Sequence, residues 1–351
     1  MEQEIAELQA ILREDPYNFQ ARRTLSIRLL DSGFNKEAKQ NLLYLVRTFP
    51  DNAELLYNLG IAYEKLKQYE KAENAYIRAI ELSPETDFFY NLGITFIEEE
   101  KYEQAIPVFK KVIEVEPQDS NTLFNLGLCH FRLKQYDEAL EYFVNTININ
   151  DSDIFAHFYI GNILKEQGLL EYAIEKFIKV LQLSPDYSWA YYNLGAIAYE
   201  LDDITNAILY LKQTINFNPT DIEAYKILNK IYLKQNRFDD AIELIKTALE
   251  SIPQNGDLYY NYAQIFKLQG ELDKYQRALS TALSNKETLT YPLNLVQKEF
   301  KTINKQLGET ELKVSSQKSA TITEETQFSQ ENQNIEQNIN SNSTFEEQEQ
   351  S

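Results

Sequence analysis

The chain has 351 residues, 43% of them hydrophobic, with 34 basic against 54 acidic side chains and a formal net charge of −20. So acidic a balance works against nonspecific attraction to phosphate backbones or anionic lipid, and neither nucleic acid nor membrane insertion is expected. No apolar run approaches the ~18 residues of a membrane span, the start Met1-Glu2-Gln3-Glu4 is unlike a secretory signal, and the single Cys129 cannot form an internal disulfide, so the expected compartment is cytoplasmic.

In chain order, the first predicted element lies within residues 1–18. Ile5, Leu8, Ile11 and Leu12 share one helical face, and Pro16 ends the segment. From Phe19 a period sets in. Gly60, Gly93, Gly127, Gly161 and Gly195 follow one another at spacings of 33, 34, 34 and 34 residues, each preceded by a large apolar residue. Taking each glycine as the eighth residue of its unit gives eight units across residues 19–289. They begin at Phe19, Ala53, Thr86, Ser120, Ile154, Ser188, Ile222 and Gly256.

The other columns align on the same frame. Position 20 is alanine in seven units, from Ala38 to Ala241, with Tyr275 in the last. Position 24 is large and apolar throughout: Leu42, Tyr76, Phe109, Phe143, Phe177, Leu211, Ile245 and Leu279. Position 32 is proline in six units. Apolar residues at positions 4, 7, 8 and 11, and again at 20, 24 and 27, each trace one face of a helix, so every unit holds two helices. Small residues at positions 8 and 20 let the two backbones approach, and proline near position 32 stops the second helix. Gly33, Gly168 and Gly270 close the first helix of their units, where glycine takes the left-handed conformation at no steric cost. A 34-residue hairpin cannot bury its apolar face alone, so the units must stack.

The order of leucine, glycine, aromatic, alanine, large apolar residue and proline resembles the tetratricopeptide repeat. Unit two carries the pattern most fully, with Leu56, Leu59, Gly60, Tyr63, Ala72, Tyr76, Ala79 and Pro84. The resemblance implies an all-α, right-handed superhelical solenoid of about eight stacked hairpins, with its function on the surface that stacking creates.

After the last unit, residues 290–308 place Leu295, Phe300, Ile303 and Leu307 among lysines and glutamines, and are expected to form a second capping helix to match the one in 1–18. Residues 309–351 carry nine glutamates and two lysines among Gln, Asn, Ser and Thr, and are expected to be a disordered polar tail.

Catalysis has little to work with. His130 and His157, the only histidines, fall at positions 11 and 4, both expected in the seam between helices. Cys129 neighbours His130, but adjacent helical residues point about 100° apart and do not pair as nucleophile and base. No phosphate loop or metal-ligand spacing appears, so no catalytic residue, metal or cofactor is expected.

In the resembled family, positions 2, 5, 6, 9, 12 and 13 of the first helices line the concave side. Position 5 here includes Tyr57, Tyr90, Phe124, Phe158, Tyr192 and Tyr260, and position 6 includes Asn58, Asn91, Asn125, Asn193 and Asn261. Asparagine amides both donate and accept, so a ladder of them can hold the main chain of a peptide, while the aromatics offer flat area. The expected function is a non-catalytic scaffold or adaptor that holds a peptide or helical segment of a protein partner in this groove. The competing reading is that some of these residues only brace neighbouring units.

Lys226, Lys230 and Lys234 stand four apart on one face, suited to a carboxylate or an acidic segment, or else to solvated pairing with Glu223 and Glu200. Chaperone adaptors of the family clamp a terminal carboxylate. Asn162 and Asn193 match that clamp, whereas Phe158, Glu223 and Ile227 stand where it needs basic residues. An acidic C-terminal peptide binder and a regulatory subunit of an enzyme complex are therefore the alternatives.

Overall fold

The computed structural model describes residues 2–307, and the expected polar tail lies outside them. The chain divides into two compact units, Met1–Leu194 and Gly195–Ser351. The described residues form eighteen α-helices and no strand.

The first unit opens with α1 (Glu2–Glu14), followed by the hairpins α2 (Phe19–Asp31) with α3 (Asn35–Thr48) and α4 (Ala53–Lys65) with α5 (Tyr69–Leu82). Next come α6 (Thr86–Glu98) with α7 (Tyr102–Val115), α8 (Ser120–Arg132) with α9 (Tyr136–Ile149), and α10 (Ile154–Glu166) with α11 (Leu170–Leu183). The boundary between the units falls inside α12 (Ser188–Glu200). The second unit continues with α13 (Ile204–Phe217), α14 (Ile222–Lys234), α15 (Phe238–Ser251), α16 (Gly256–Gln269) and α17 (Leu272–Ser284). A 3-10 turn at Lys286–Thr288 then leads to α18 (Leu293–Leu307).

Local chemistry accounts for these boundaries. Before six of the eight first helices stand Asn18, Asn52, Asp119, Asp153, Asp221 and Asn255, and each side chain accepts a hydrogen bond from the backbone N–H three residues on. One otherwise orphaned donor is thereby satisfied per helix. Glu85 occupies the same place before α6 without such a bond. Second helices stop short of the prolines: α5 ends at Leu82 ahead of Pro84, and α11 at Leu183 ahead of Pro185.

The turn inside each hairpin is more regular than the sequence suggests. Position 15 is left-handed in all eight units, with φ between 56° and 78°. Gly33, Gly168 and Gly270 fill it in three, but Lys67, Glu100, Lys134, Asp202 and Asn236 adopt the same conformation in the rest. Glycine is the residue that makes this turn cheap, and packing of the two flanking helices imposes it where glycine is missing.

The crossing inside each hairpin is tight. A Cβ added at Gly93 falls 2.6 Å from the Phe109 ring, one at Gly127 falls 2.8 Å from Phe143, and one at Gly161 falls 2.8 Å from Phe177. Glycine at position 8 thus leaves room for the position-24 side chain in these hairpins, whereas Ser26, Asn229 and Ala263 occupy position 8 in three others. All eight position-24 residues are fully buried. Within each unit hairpins pack on the next through the second helix, as α3 does on α4, α5 on α6 and α15 on α16. At the start of the first unit, Ile5 of α1 joins a core with Leu25, Leu29 and Ala38. In the second unit, Val296 and Ile303 of α18 join one with Tyr260, Phe266 and Leu279.

Candidate functional site

First helices of successive hairpins also touch, α2 with α4, α4 with α6, and α14 with α16. Side chains from positions 5 and 6 meet along this seam. In the first unit the Asn91 Nδ2 donates to the Tyr57 hydroxyl at 2.7 Å, and the Asn125 Nδ2 donates to the Tyr90 hydroxyl at 3.3 Å. Burial raises the pKa of both phenols and outweighs those two amide bonds, which act in the opposite sense. Asn193 is engaged at both ends, accepting from Lys165 Nζ at 2.7 Å and donating to the Trp189 carbonyl at 2.9 Å. Asn58 is buried, and Asn162 and Tyr192 are half-buried. Asn91, Asn125 and Asn193 thus brace one repeat against another, while the side-chain oxygens of Asn91 and Asn125 accept no protein hydrogen bond among the described residues.

The position-5 rings have a second role. Tyr57 lies 5.9 Å from Tyr76, Tyr90 5.9 Å from Phe109, Phe124 5.5 Å from Phe143, and Phe158 5.8 Å from Phe177. Each thus packs on the position-24 ring of its own hairpin and is itself half-buried. The most exposed aromatics of the first helices stand at position 2 instead: Phe155 is 56% and Trp189 53% exposed. Sequence reasoning passed over both, because their column otherwise holds acidic and amide residues such as Glu54, Asp87 and Asn121. Phe155 joins Tyr90, Phe124 and Asn125 around a shallow cleft of about 170 Å³.

In the second unit the lysine stripe borders a larger cleft of about 610 Å³, whose wall includes Tyr199, Ile227, Leu268 and Tyr291. Its three lysines differ sharply. Lys226 lies 2.8 Å from the Asp257 carboxylate and 2.9 Å from that of Glu223. Burial opposes its charged form, but the hydrogen bonds to Asp257 and Glu223 outweigh that and leave its pKa raised. Lys230 and Lys234 have no carboxylate partner among the described residues, and their ammonium groups stand 5.6 and 5.1 Å from the Tyr199 ring centroid. Tyr260 is buried beneath Tyr291, the ring centroids 4.5 Å apart, and Asn261 accepts from the Tyr291 hydroxyl at 3.1 Å. Asn261 Nδ2 and Asn229 Oδ1 are buried without a hydrogen-bond partner, and both residues line the cleft. Tyr291 lies after the last repeat, so the repeat columns give no sign of it.

Comparison with known families settles the class. Tetratricopeptide repeat models match residues 53–85, 161–202, 190–221 and 232–288, and a model of anaphase-promoting complex, cyclosome, subunit 3 matches 98–180. The chain belongs to the tetratricopeptide repeat family. No curated protein matches it. Among solved structures it is similar to MamA residues 41 to the end from Desulfovibrio magneticus RS-1, at 25% identity and a TM-score of 0.46, covering 48% of this chain and 96% of that one. It is also similar to YrrB, a TPR protein with an unusual peptide-binding site, at 23% identity and a TM-score of 0.46, covering 52% and 95%. The APC/C hetero-tetramer Cut9-Hcn1 is similar at 20% identity and a TM-score of 0.49, covering 78% of this chain and 52% of that one.

Within this tetratricopeptide array the reactive side chains serve packing. Cys129 is fully buried, and burial pushes its thiol up to about 12, so it carries no thiolate at neutral pH. His130 is stacked on Tyr142 and hydrogen-bonded to Gln135 at 2.7 Å. The His157 Nε2 meets the Asp151 carbonyl at 3.0 Å. The histidines are thus fixed in the repeat core, as their positions in the period imply. Among the described residues no helix is long and apolar enough to cross a membrane.

Proposed function

We propose that this tetratricopeptide repeat protein is a non-catalytic, cytoplasmic scaffold that holds a segment of a protein partner against the first helices of its repeats. The observation that carries this reading is the exposure of Phe155 and Trp189, one repeat apart at position 2, with Phe155 lining a cleft beside Tyr90, Phe124 and Asn125. Large exposed aromatics beside partly engaged amides are the side chains from which interface anchors are drawn, because they bury much area at little conformational cost. The Asn91 and Asn125 oxygens supply acceptors for a partner's backbone N–H groups. On this reading α1 and α18 are caps that cover the ends of the array, at residues 1–18 and 290–308.

A terminal-carboxylate clamp is the less favoured alternative. Asn193 is already committed to Lys165 and Trp189, and Phe158 is packed against Phe177 and Tyr187.

The test is a photoreactive amino acid placed in the native cell at position 155, and separately at Tyr172, which is exposed on second helix α11. A partner captured from position 155 and not from 172 is the expected result. Equal capture from both overturns the assignment to the first helices. Trp189 is the only tryptophan. Its fluorescence should therefore shift to the blue when the captured partner is added back.

A further inference from the structure

The cleft of the second unit combines features that the repeat columns do not explain. In a chain of net charge −20, its lining holds three lysines against the single carboxylate of Glu223. Lys226 is spent on the buried Asp257, which leaves Lys230 and Lys234 as unpaired cations among the described residues. Ile227, Leu268 and Tyr291 make the neighbouring wall apolar, and the buried amides of Asn229 and Asn261 each keep an unpartnered atom. A fitting ligand therefore carries an apolar group, two carboxylates and a polar main chain, in an order that follows α14 from Ile227 to Lys234.

One segment of the same chain has that order. Residues 343–351 read Ser-Thr-Phe-Glu-Glu-Gln-Glu-Gln-Ser, and Phe345, Glu347 and Glu349 alternate. In an extended chain alternate side chains share a face at about 6.6 Å intervals. Residues four apart on a helix rise by about 6 Å. Glu347 and Glu349 thus match Lys230 and Lys234, and Phe345 falls level with Ile227 and Tyr291. Elsewhere in 309–351 an aromatic residue occurs only at Phe328, and no glutamate pair follows it in that alternation.

The reach is sufficient. Tyr291, which lines the cleft, stands two residues before α18, and α18 is about 22 Å long. The 38 residues from Leu307 to Phe345 can reach at most about 125 Å, several times the length of α18.

We propose that residues 345–349 of this chain occupy the second-unit cleft, with Phe345 against Ile227 and Tyr291 and with Glu347 and Glu349 on Lys230 and Lys234, as an internal occupant that an external segment must displace. The inference rests on reading first-helix faces as surfaces that hold chain segments. Its test concerns the second unit alone, so it can fail while partner capture at Phe155 succeeds.

Zero-length carbodiimide coupling of the full-length chain, mapped by mass spectrometry, tests it directly. This chemistry joins a lysine amine to a carboxylate only in contact. The 2.8 Å pair Lys267–Glu299 in the same unit supplies an internal control for folding. Glu347 or Glu349 should couple to Lys230 or Lys234 within one molecule, and the yield should drop several-fold when salt is raised to 1 M, where charges are screened beyond about 3 Å. The charge reversal K230E/K234E should abolish the coupling sites and leave the Lys267–Glu299 product intact. In the variant K230E/K234E/E347K/E349K coupling should return with donor and acceptor exchanged. The proposal is overturned if tail glutamates couple to other lysines as readily as to these two. It is equally overturned if, in a mixture of isotopically light and heavy protein, the products join different molecules.

Discussion

Asn91 in α6 donates from Nδ2 to the hydroxyl of Tyr57 in α4, 2.7 Å away and one full repeat earlier in the chain. Two columns that each suggest a ligand surface are thus partly spent on each other. The hydrogen bond contributes about 1 kcal/mol, and the asparagine loses a few tenths of a kcal/mol against alanine in helix propensity. Asn91→Ala should therefore cost little in total stability, and only a double-mutant cycle isolates the bond. Measured by denaturant unfolding, Asn91→Ala combined with Tyr57→Phe should show a coupling energy of about 0.5–1.5 kcal/mol. Strict additivity of the two changes would show that the pair contributes nothing between repeats.

The left-handed residue at position 15 offers a stabilising change. Glu100 and Lys134 have φ of 58° and 59°, where a side chain costs roughly 1–2 kcal/mol that glycine does not incur. Glycine returns part of that through the greater freedom of the unfolded chain, roughly 0.4–1 kcal/mol. Glu100→Gly and Lys134→Gly should each raise stability by up to about 1 kcal/mol, seen as a higher melting temperature, and Gly168→Ala should lower it. A fall in melting temperature for both glycine variants would contradict this account.

The period made most of the fold legible in the sequence. Glycine at position 8, alanine at 20 and a large residue at 24 are three consequences of one close helix crossing, so each column corroborates the others. The turns were legible only where glycine marked them, because Lys67 and Glu100 take the same conformation under pressure from the packed helices on either side. The surface was less legible for a different reason. Whether Asn193 is an open amide or is held by Lys165 depends on contacts between residues 28 apart, which column identity does not encode. Phe155 and Trp189 break the pattern of their column, and that departure was the available signal. Tyr291 lies beyond the last repeat, where no period exists to flag it.

Glu299 ties α18 to the preceding hairpin. It accepts from Lys267, Gln264 and Tyr275 at 2.8, 3.0 and 3.0 Å. Burial alone raises a carboxyl pKa, but these bonds outweigh it and leave Glu299 below its ordinary 4.5. A group whose pKa is depressed by folding contributes stability that is present above its unfolded pKa and is lost as pH falls through the folded value. Hydrogen-exchange protection of α18, corrected for intrinsic rates, should therefore weaken below pH 4.5 relative to α14. Glu299→Gln should remove that pH dependence, and the same acid response in the variant would assign it to another carboxyl group.

Among the described residues of the second unit, Lys226 and Asp257 form the most deeply buried ion pair, with side-chain exposures of 16% and 2% and a separation of 2.8 Å. Asp257 also accepts from the backbone N–H and the hydroxyl of Thr290, both at 2.7 Å, so the pair fixes the segment that leads into α18. Removing one partner strands the other charge away from water, a loss of about 3–5 kcal/mol for pairs so buried. Lys226→Met should therefore destabilise the second unit by about 3 kcal/mol, whereas Lys230→Ser and Lys234→Ser, which strand nothing, should stay within about 0.5 kcal/mol of the parent. Adding Asp257→Asn to Lys226→Met should recover most of the loss, because a neutral amide oxygen still accepts from Thr290 and no charge remains to be solvated. Denaturant titrations of the four proteins give the comparison. Equal, small losses for Lys226, Lys230 and Lys234 would show that the stripe acts as three solvated lysines, with no structural division of labour among them.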